Sequence, residues 1–150
     1  MARTGQNESS IPSESAISSK PALCSVSVQR FELVLVDAYT RTTYVPFQVA
    51  SVEFFREVRD HLTEDGVVAI NVGHTADRRD TPRDWRLVAA MVATMREVYP
   101  SVHVLDVPGS LNAIVVATVR PTSTENLANN LPLLADARLQ TVANWALANV

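Results

Sequence analysis

A single cysteine, Cys24, leaves the chain unable to form an internal disulfide and without a thiol cluster for zinc. That usage suits a reducing compartment, and the cytoplasm is the expected location. No stretch approaches the roughly 18 consecutive apolar residues of a membrane-spanning helix, and the N-terminal region lacks an apolar core of signal-peptide length. A membrane partner is therefore not expected. Positive charge is not in excess either: 13 basic residues stand against 16 acidic ones, a formal net charge of −3. Nucleic-acid binding ordinarily shows as a basic face or stripe, so no nucleic-acid partner is expected. No group of His, Cys and carboxylate residues has metal-ligand spacing, and no Ser-His-Asp or Cys-His arrangement is supported, which sets aside metal-centred and triad chemistry.

What is present is one domain's worth of sequence. At 150 residues the chain fits the usual range of roughly 100 to 200 per domain and can bury a sizeable core. Met1 to Pro21 is rich in Ser, with scattered Glu, Asn, Gln and Pro and few large apolar residues. Such a segment cannot bury enough surface to offset the entropy of ordering, so residues 1–28 read as a disordered tail, with Leu23 to Val28 either a short strand or the tail's end. The character changes at Gln29. Residues 29–120 read as the folded domain, and 121–150 as a linker followed by a C-terminal helix.

The stretch Phe31 to Gly73 organises the domain. Leu33 to Val36 and Val67 to Ile70 are unbroken apolar runs, which predicts two parallel strands covered on both faces. Between them, Ser51 offers an N-cap and Glu53 a first-turn charge, and Val52, Phe55, Val58 and Leu62 recur at helical spacing. This helix is expected to stop at TEDG, with Gly66 supplying the turn into the strand Val67 to Val72. Thr81 as N-cap, Pro82 at the first helical position and Asp84 beyond open a second helix, whose core face is Val88, Met91, Val92, Met95, Val98 and Tyr99 and whose end is Pro100. Val102 to Val107 and Ala113 to Val119 read as strands. The link holding Pro108 and Gly109 is too short for a parallel crossover, so they form an antiparallel hairpin. Leu134, Leu139, Val142, Trp145 and Leu147 predict the final helix. The expected class is α/β, a mainly parallel sheet ending in an antiparallel hairpin with helices on its faces.

In open sheets of this class, ligands bind beyond the carboxyl ends of the strands. Asp37 and Tyr39 follow the first strand, and Asn71 and His74 close the second. Asp37 reads either as a general base and amine anchor or as a strand-terminating turn residue. Tyr39 and Tyr44 either line an amine pocket or, the favoured alternative, pack on the sheet edge. Asn71 either hydrogen-bonds a ligand or caps its own loop, and His74 reads either as a group on the functional edge that titrates near neutrality or, the favoured alternative, as a solvated loop residue. Arg78, Arg79 and Arg83 beside Asp77, Asp80 and Asp84 read as a salt-bridged, solvated loop.

The pattern FELVLVDAYTRTTYVPFQVASVEFFREVRDHLTEDGVVAINV resembles the second half of the catalytic domain of the polyamine aminopropyltransferases, the spermidine-synthase-like proteins, in particular a branch with a "DAY...PF" loop. The resemblance covers about Phe31 to Val119 and implies the C-terminal half of a Rossmann-like, S-adenosylmethionine-dependent methyltransferase fold. It implies attack of an amine nitrogen on the activated carbon of decarboxylated S-adenosylmethionine, the family's co-substrate, with Asp37 orienting and deprotonating a small-molecule amine. Tyr39, Tyr44 and Asn71 are the implied substrate-binding residues. Thr40 stands where the family commonly has a second carboxylate. The glycine turn and acidic residue that hold the co-substrate belong to a preceding half for which nothing before Phe31 supplies a counterpart, so this chain alone is expected to bind no cofactor and to be inactive. Two alternatives stay open: a non-catalytic, truncated relative that acts by pairing as a homodimer or with a missing half, and a methyltransferase relative using S-adenosylmethionine itself.

Overall fold

The structure, a computed structural model, describes residues 29–38, 45–73 and 83–150. Four strands and four α-helices are present among them: β1 (Phe31–Val36), α1 (Val52–Asp60), β2 (Leu62–Gly73), α2 (Arg86–Arg96), β3 (Ser101–Asp106), β4 (Asn112–Thr118), α3 (Thr124–Asn130) and α4 (Ala137–Leu147). The sheet order is β1-β2-β4-β3, with β1 and β2 parallel and β4 antiparallel to both its neighbours. The expected parallel pair and closing antiparallel hairpin are both present. The hairpin turn places Gly109 at φ +76°, a conformation that costs a residue bearing Cβ. The crossover through α2 carries the chain past β2 to the far edge, and β4 then returns between them.

Alternation along the strands divides the sheet into two unlike faces. Val68, Ile70 and Val72 of β2 and Ala113, Val115 and Ala117 of β4 are sealed beneath α1 and α2, against Phe55, Val88, Met91 and Met95. These side chains supply most of the stabilising burial, at roughly 1.5–3 kcal/mol for each large one. Ser51 caps α1 as expected, its Oγ accepting the Phe54 N–H at 3.2 Å. Val98 and Tyr99 are buried in the turn that follows α2.

Several expectations need correction. β1 is not covered on both faces: Val34 and Val36 pack on the core, but Leu33 is 53% and Leu35 71% exposed. An apolar run predicts burial on both faces only if a layer covers each, and among the described residues the core packs against β1 on the Val34 and Val36 face alone. The TEDG segment is not a helix terminus. α1 closes at His61, and residues 62–66 already belong to β2. Phe31 lies opposite Leu62 and Leu33 opposite Val67, so two steps along β1 match five along β2 and the excess bulges. Gly66 is required there by space, because a Cβ would sit 2.7 Å from the Leu62 Cβ and 2.9 Å from the Thr63 carbonyl oxygen.

α2 begins at Arg86, later than expected, because Asp84 accepts the Arg86 backbone N–H and grips its guanidinium, folding residues 84–86 into a side-chain turn. Those hydrogen bonds hold the Asp84 carboxyl down at about 2. Thr81 and Pro82 lie outside the described residues, as do Leu23 to Val28. Arg83 does not join a local salt-bridged loop; it reaches Asp106 at the end of β3, at 2.6 and 2.7 Å. The segment read as a linker contains α3, opened by a capping box between Ser123 and Asn126. α4 forms, but Leu139, Val142 and Trp145 are 55%, 62% and 41% exposed, so its apolar spacing does not face the core.

Tyr99 ties the two helical segments together. Its ring meets Phe55 edge-on, its hydroxyl donates to the Phe55 carbonyl at 3.1 Å, and burial pushes the phenol up to about 12 from its ordinary 10. Tyr99→Phe is expected to cost about 1 kcal/mol near neutral pH. Because the folded phenol ionises later than the unfolded one, its contribution is complete below pH 10 and fades as pH climbs towards 12. Urea titrations of both proteins near pH 7 and pH 11 should therefore converge at the higher pH; an unchanged gap would contradict this role.

Candidate functional site

Parallel pairing brings the carboxyl ends of β1 and β2 to the same edge, since Val36 lies opposite Ile70. The next residue on each strand is then Asp37 and Asn71, and the Asn71 Nδ2 donates to the Asp37 Oδ1 at 3.2 Å. Two residues 34 positions apart are joined by the strand register alone. Of the residues singled out from the sequence, these two are brought together. Tyr39, Thr40, Tyr44 and His74 lie outside the described residues.

The orientation of the Asn71 amide follows from its neighbour. Turned the other way, its carbonyl oxygen would face a carboxylate, so the amide nitrogen points at Asp37 and the oxygen points away. That oxygen is shielded from solvent and has no hydrogen-bond partner among the described residues. A buried acceptor without a donor costs roughly 1–3 kcal/mol. Asp37 itself is exposed, and its second oxygen is not used by Asn71. The edge thus offers an exposed carboxylate, held by the Asn71 amide and suited to an N–H-rich cation.

Farther along the same edge, the Arg83–Asp106 ion pair closes the end of β3, where the Asp106 backbone N–H also donates to the Asn149 carbonyl at 3.1 Å. Sequence reading missed this pair, because nothing in the spacing of Arg83 and Asp106 predicts it; only the β3 register does. Among the described residues no group of His, Cys, Asp and Glu is arranged to hold a metal ion, and no helix is long and apolar enough to cross a membrane. Of the described glycines, Gly66 fills the bulge in β2, Gly73 ends β2 and Gly109 turns the hairpin.

No protein-family model matches the chain. Over 93 residues, 61% of the chain, the sequence is 32% identical to a probable polyamine aminopropyl transferase of Bifidobacterium longum. That match takes in 20% of the relative, so the chain spans about a fifth of the length of the curated protein it resembles. Among solved structures, a probable spermidine synthase from Corynebacterium glutamicum superposes with a TM-score of 0.53 at 22% identity, over 80% of this chain and 48% of that one. Human methyltransferase-like protein 13 in complex with SAH gives a TM-score of 0.55 at 18% identity, over 85% of this chain and 53% of that one. At these identities the structural likeness speaks for the fold, which is Rossmann-like and shared with methyltransferases. The sequence likeness narrows it: the chain carries a spermidine synthase-like region of the methyltransferase-like fold.

Proposed function

We propose that the Asp37–Asn71 edge is the amine-binding side of an aminopropyl-transfer site. The observation that carries this reading is the exposed Asp37 carboxylate at the shared carboxyl edge, held through one oxygen by the Asn71 amide. An ammonium group can pair with the carboxylate oxygen that Asn71 leaves unused. As the amine prepares to act as a nucleophile it must lose a proton, and Asp37, within hydrogen-bond reach of the same nitrogen, is positioned to accept it. Asn71 would be a positioning residue, holding the carboxylate through its Nδ2. Tyr39 and Tyr44 follow Asp37 closely in the chain and are proposed to line the amine pocket.

The role ends there for this chain. The proposal is confined to the amine side: it assigns no residue of this chain to decarboxylated S-adenosylmethionine and does not extend to catalysis by this region alone. Methyl transfer, the rival reading, shares the fold, but the sequence likeness to an aminopropyl transferase and the exposed carboxylate favour an amine.

A second reading concerns what supplies the remainder. β1 has one unpaired edge among the described residues, and Leu33 and Leu35 expose an apolar row on the sheet face away from α1 and α2. Pairing with the β1 of a second copy would use the edge, but around a two-fold axis normal to the sheet it would leave both leucine rows uncovered. A strand followed by a helix covers edge and row together, and the solved relatives contain about twice the length of chain matched here. The favoured partner is therefore a strand–helix unit carrying the nucleoside seat, and the homodimer is the lesser alternative.

Two expectations follow. In NMR titrations of the chain with putrescine, shifts should centre on Asp37 and Asn71, and Asp37→Asn should weaken binding at least tenfold, with a smaller loss in Asn71→Ala. Shifts elsewhere, or equal affinity in Asp37→Asn, would remove the amine reading, and saturable binding of S-adenosylhomocysteine by the isolated chain would favour methyl transfer. For the edge, Leu35→Lys should change the stability of the isolated chain by no more than about 0.5 kcal/mol. A loss of several kcal/mol would show that Leu35 is already covered.

A further inference from the structure

Among the described residues, the face of the sheet opposite the core is roofed at one end. There α3 and the chain beyond α4 stand over β4 and β3, and a cleft of about 280 Å³ lies between them. Its floor is Val67, Leu105 and Val116, and its roof is Leu127 and Val150. Val67 lies roughly 13 Å along β2 from Asn71 at about 3.3 Å per residue, while Leu105 lies level with Asn71 two strands across, through Ile114, so the cleft runs obliquely from β2 towards the carboxyl end of β3.

Several of the polar groups around the cleft are occupied with one another, while Thr124 and Asn130 also line it. His103 Nε2 hydrogen-bonds the Thr122 hydroxyl at 2.9 Å, that hydroxyl meets Thr118 Oγ1 at 3.0 Å, and the Thr118 hydroxyl donates to the Arg120 carbonyl at 2.6 Å. Ser123 and Asn126 satisfy each other in the α3 capping box. No Asp, Glu, Lys or Arg lines the space among the described residues. The surface that the cleft presents is mostly carbon, from Val67, Leu105, Val116, Leu127 and Val150.

We infer that this cleft is a binding site for an uncharged, largely hydrocarbon small molecule. A dry cavity of about 150 Å³ accepts benzene, so 280 Å³ corresponds to roughly ten carbon atoms. Occupancy would also pin the α3–α4 segment, which is otherwise fastened to the sheet side by the Thr122 contacts with Ser101 and His103 and by the Asn149–Asp106 bond.

The probe is n-butylbenzene, added to the intact chain. Its saturation should raise the thermal midpoint by a few degrees, as ligand binding to the native state alone requires. Intermolecular nuclear Overhauser contacts should run to the methyls of Val67, Val116 and Leu127. Val116→Phe fills the floor and should abolish both effects. Leu127→Trp fills the space from α3, a half-exposed surface helix, and carries the test if the first variant does not fold. No midpoint rise, a rise undiminished in both filled variants, or contacts centred on Leu33 and Leu35 would each overturn the assignment.

Discussion

Parallel pairing of β1 with β2 is the constraint on which the rest depends. It sets Val36 beside Ile70, and therefore Asp37 beside Asn71, without any local feature of either strand end demanding it. It also decides which side chains meet the core. In this register Val34 and Val36 fall with Val68 and Ile70 under α1, while Leu33 and Leu35 fall with Val67 and Ala69 on the other face. A slip of one residue would reverse every assignment and put two leucines where valines now pack. The bulge at Gly66 is where the register is adjusted, and the lack of room for a Cβ there makes glycine part of the same device.

The two faces then divide the labour. The α1/α2 face is closed by Phe55, Met91, Met95 and Tyr99 and gives the region its stability. Among the described residues the other face is covered beside β3 and β4, with the cleft beneath α3 at one end and the leucine row of β1 at the other. Functional potential collects on this less finished side and along the carboxyl edge, as expected where ligands approach an open α/β sheet.

Much of this architecture is legible in the sequence because it rests on local pattern. The apolar runs of β1 and β2, the Ser51 cap, the Val88–Met91–Met95 face and the short Pro108–Gly109 link each specify an element with a mechanism. What escapes is whatever depends on absent or distant neighbours. The burial of β1 was overestimated because an apolar strand looks alike whether or not its second face is covered. The start of α2 was placed too early because the Asp84 side chain diverts the backbone before the helix forms. Arg83 found Asp106 through tertiary register, beyond the reach of spacing. The Asp37–Asn71 contact lies between these cases: each residue was visible as a strand terminus, and their common edge followed from predicting parallel strands, but the unpartnered Asn71 oxygen required coordinates.

The most direct test of the parallel pairing is a set of interstrand nuclear Overhauser contacts in the intact chain. Parallel strands in the present register predict contacts of Leu33 with Val67 and of Leu35 with Ala69, together with a contact between Asp37 and Asn71. The crossed pattern, Leu33 with Ala69 and Leu35 with Val67, would mean that the strands run in opposite directions and that the amine edge does not exist.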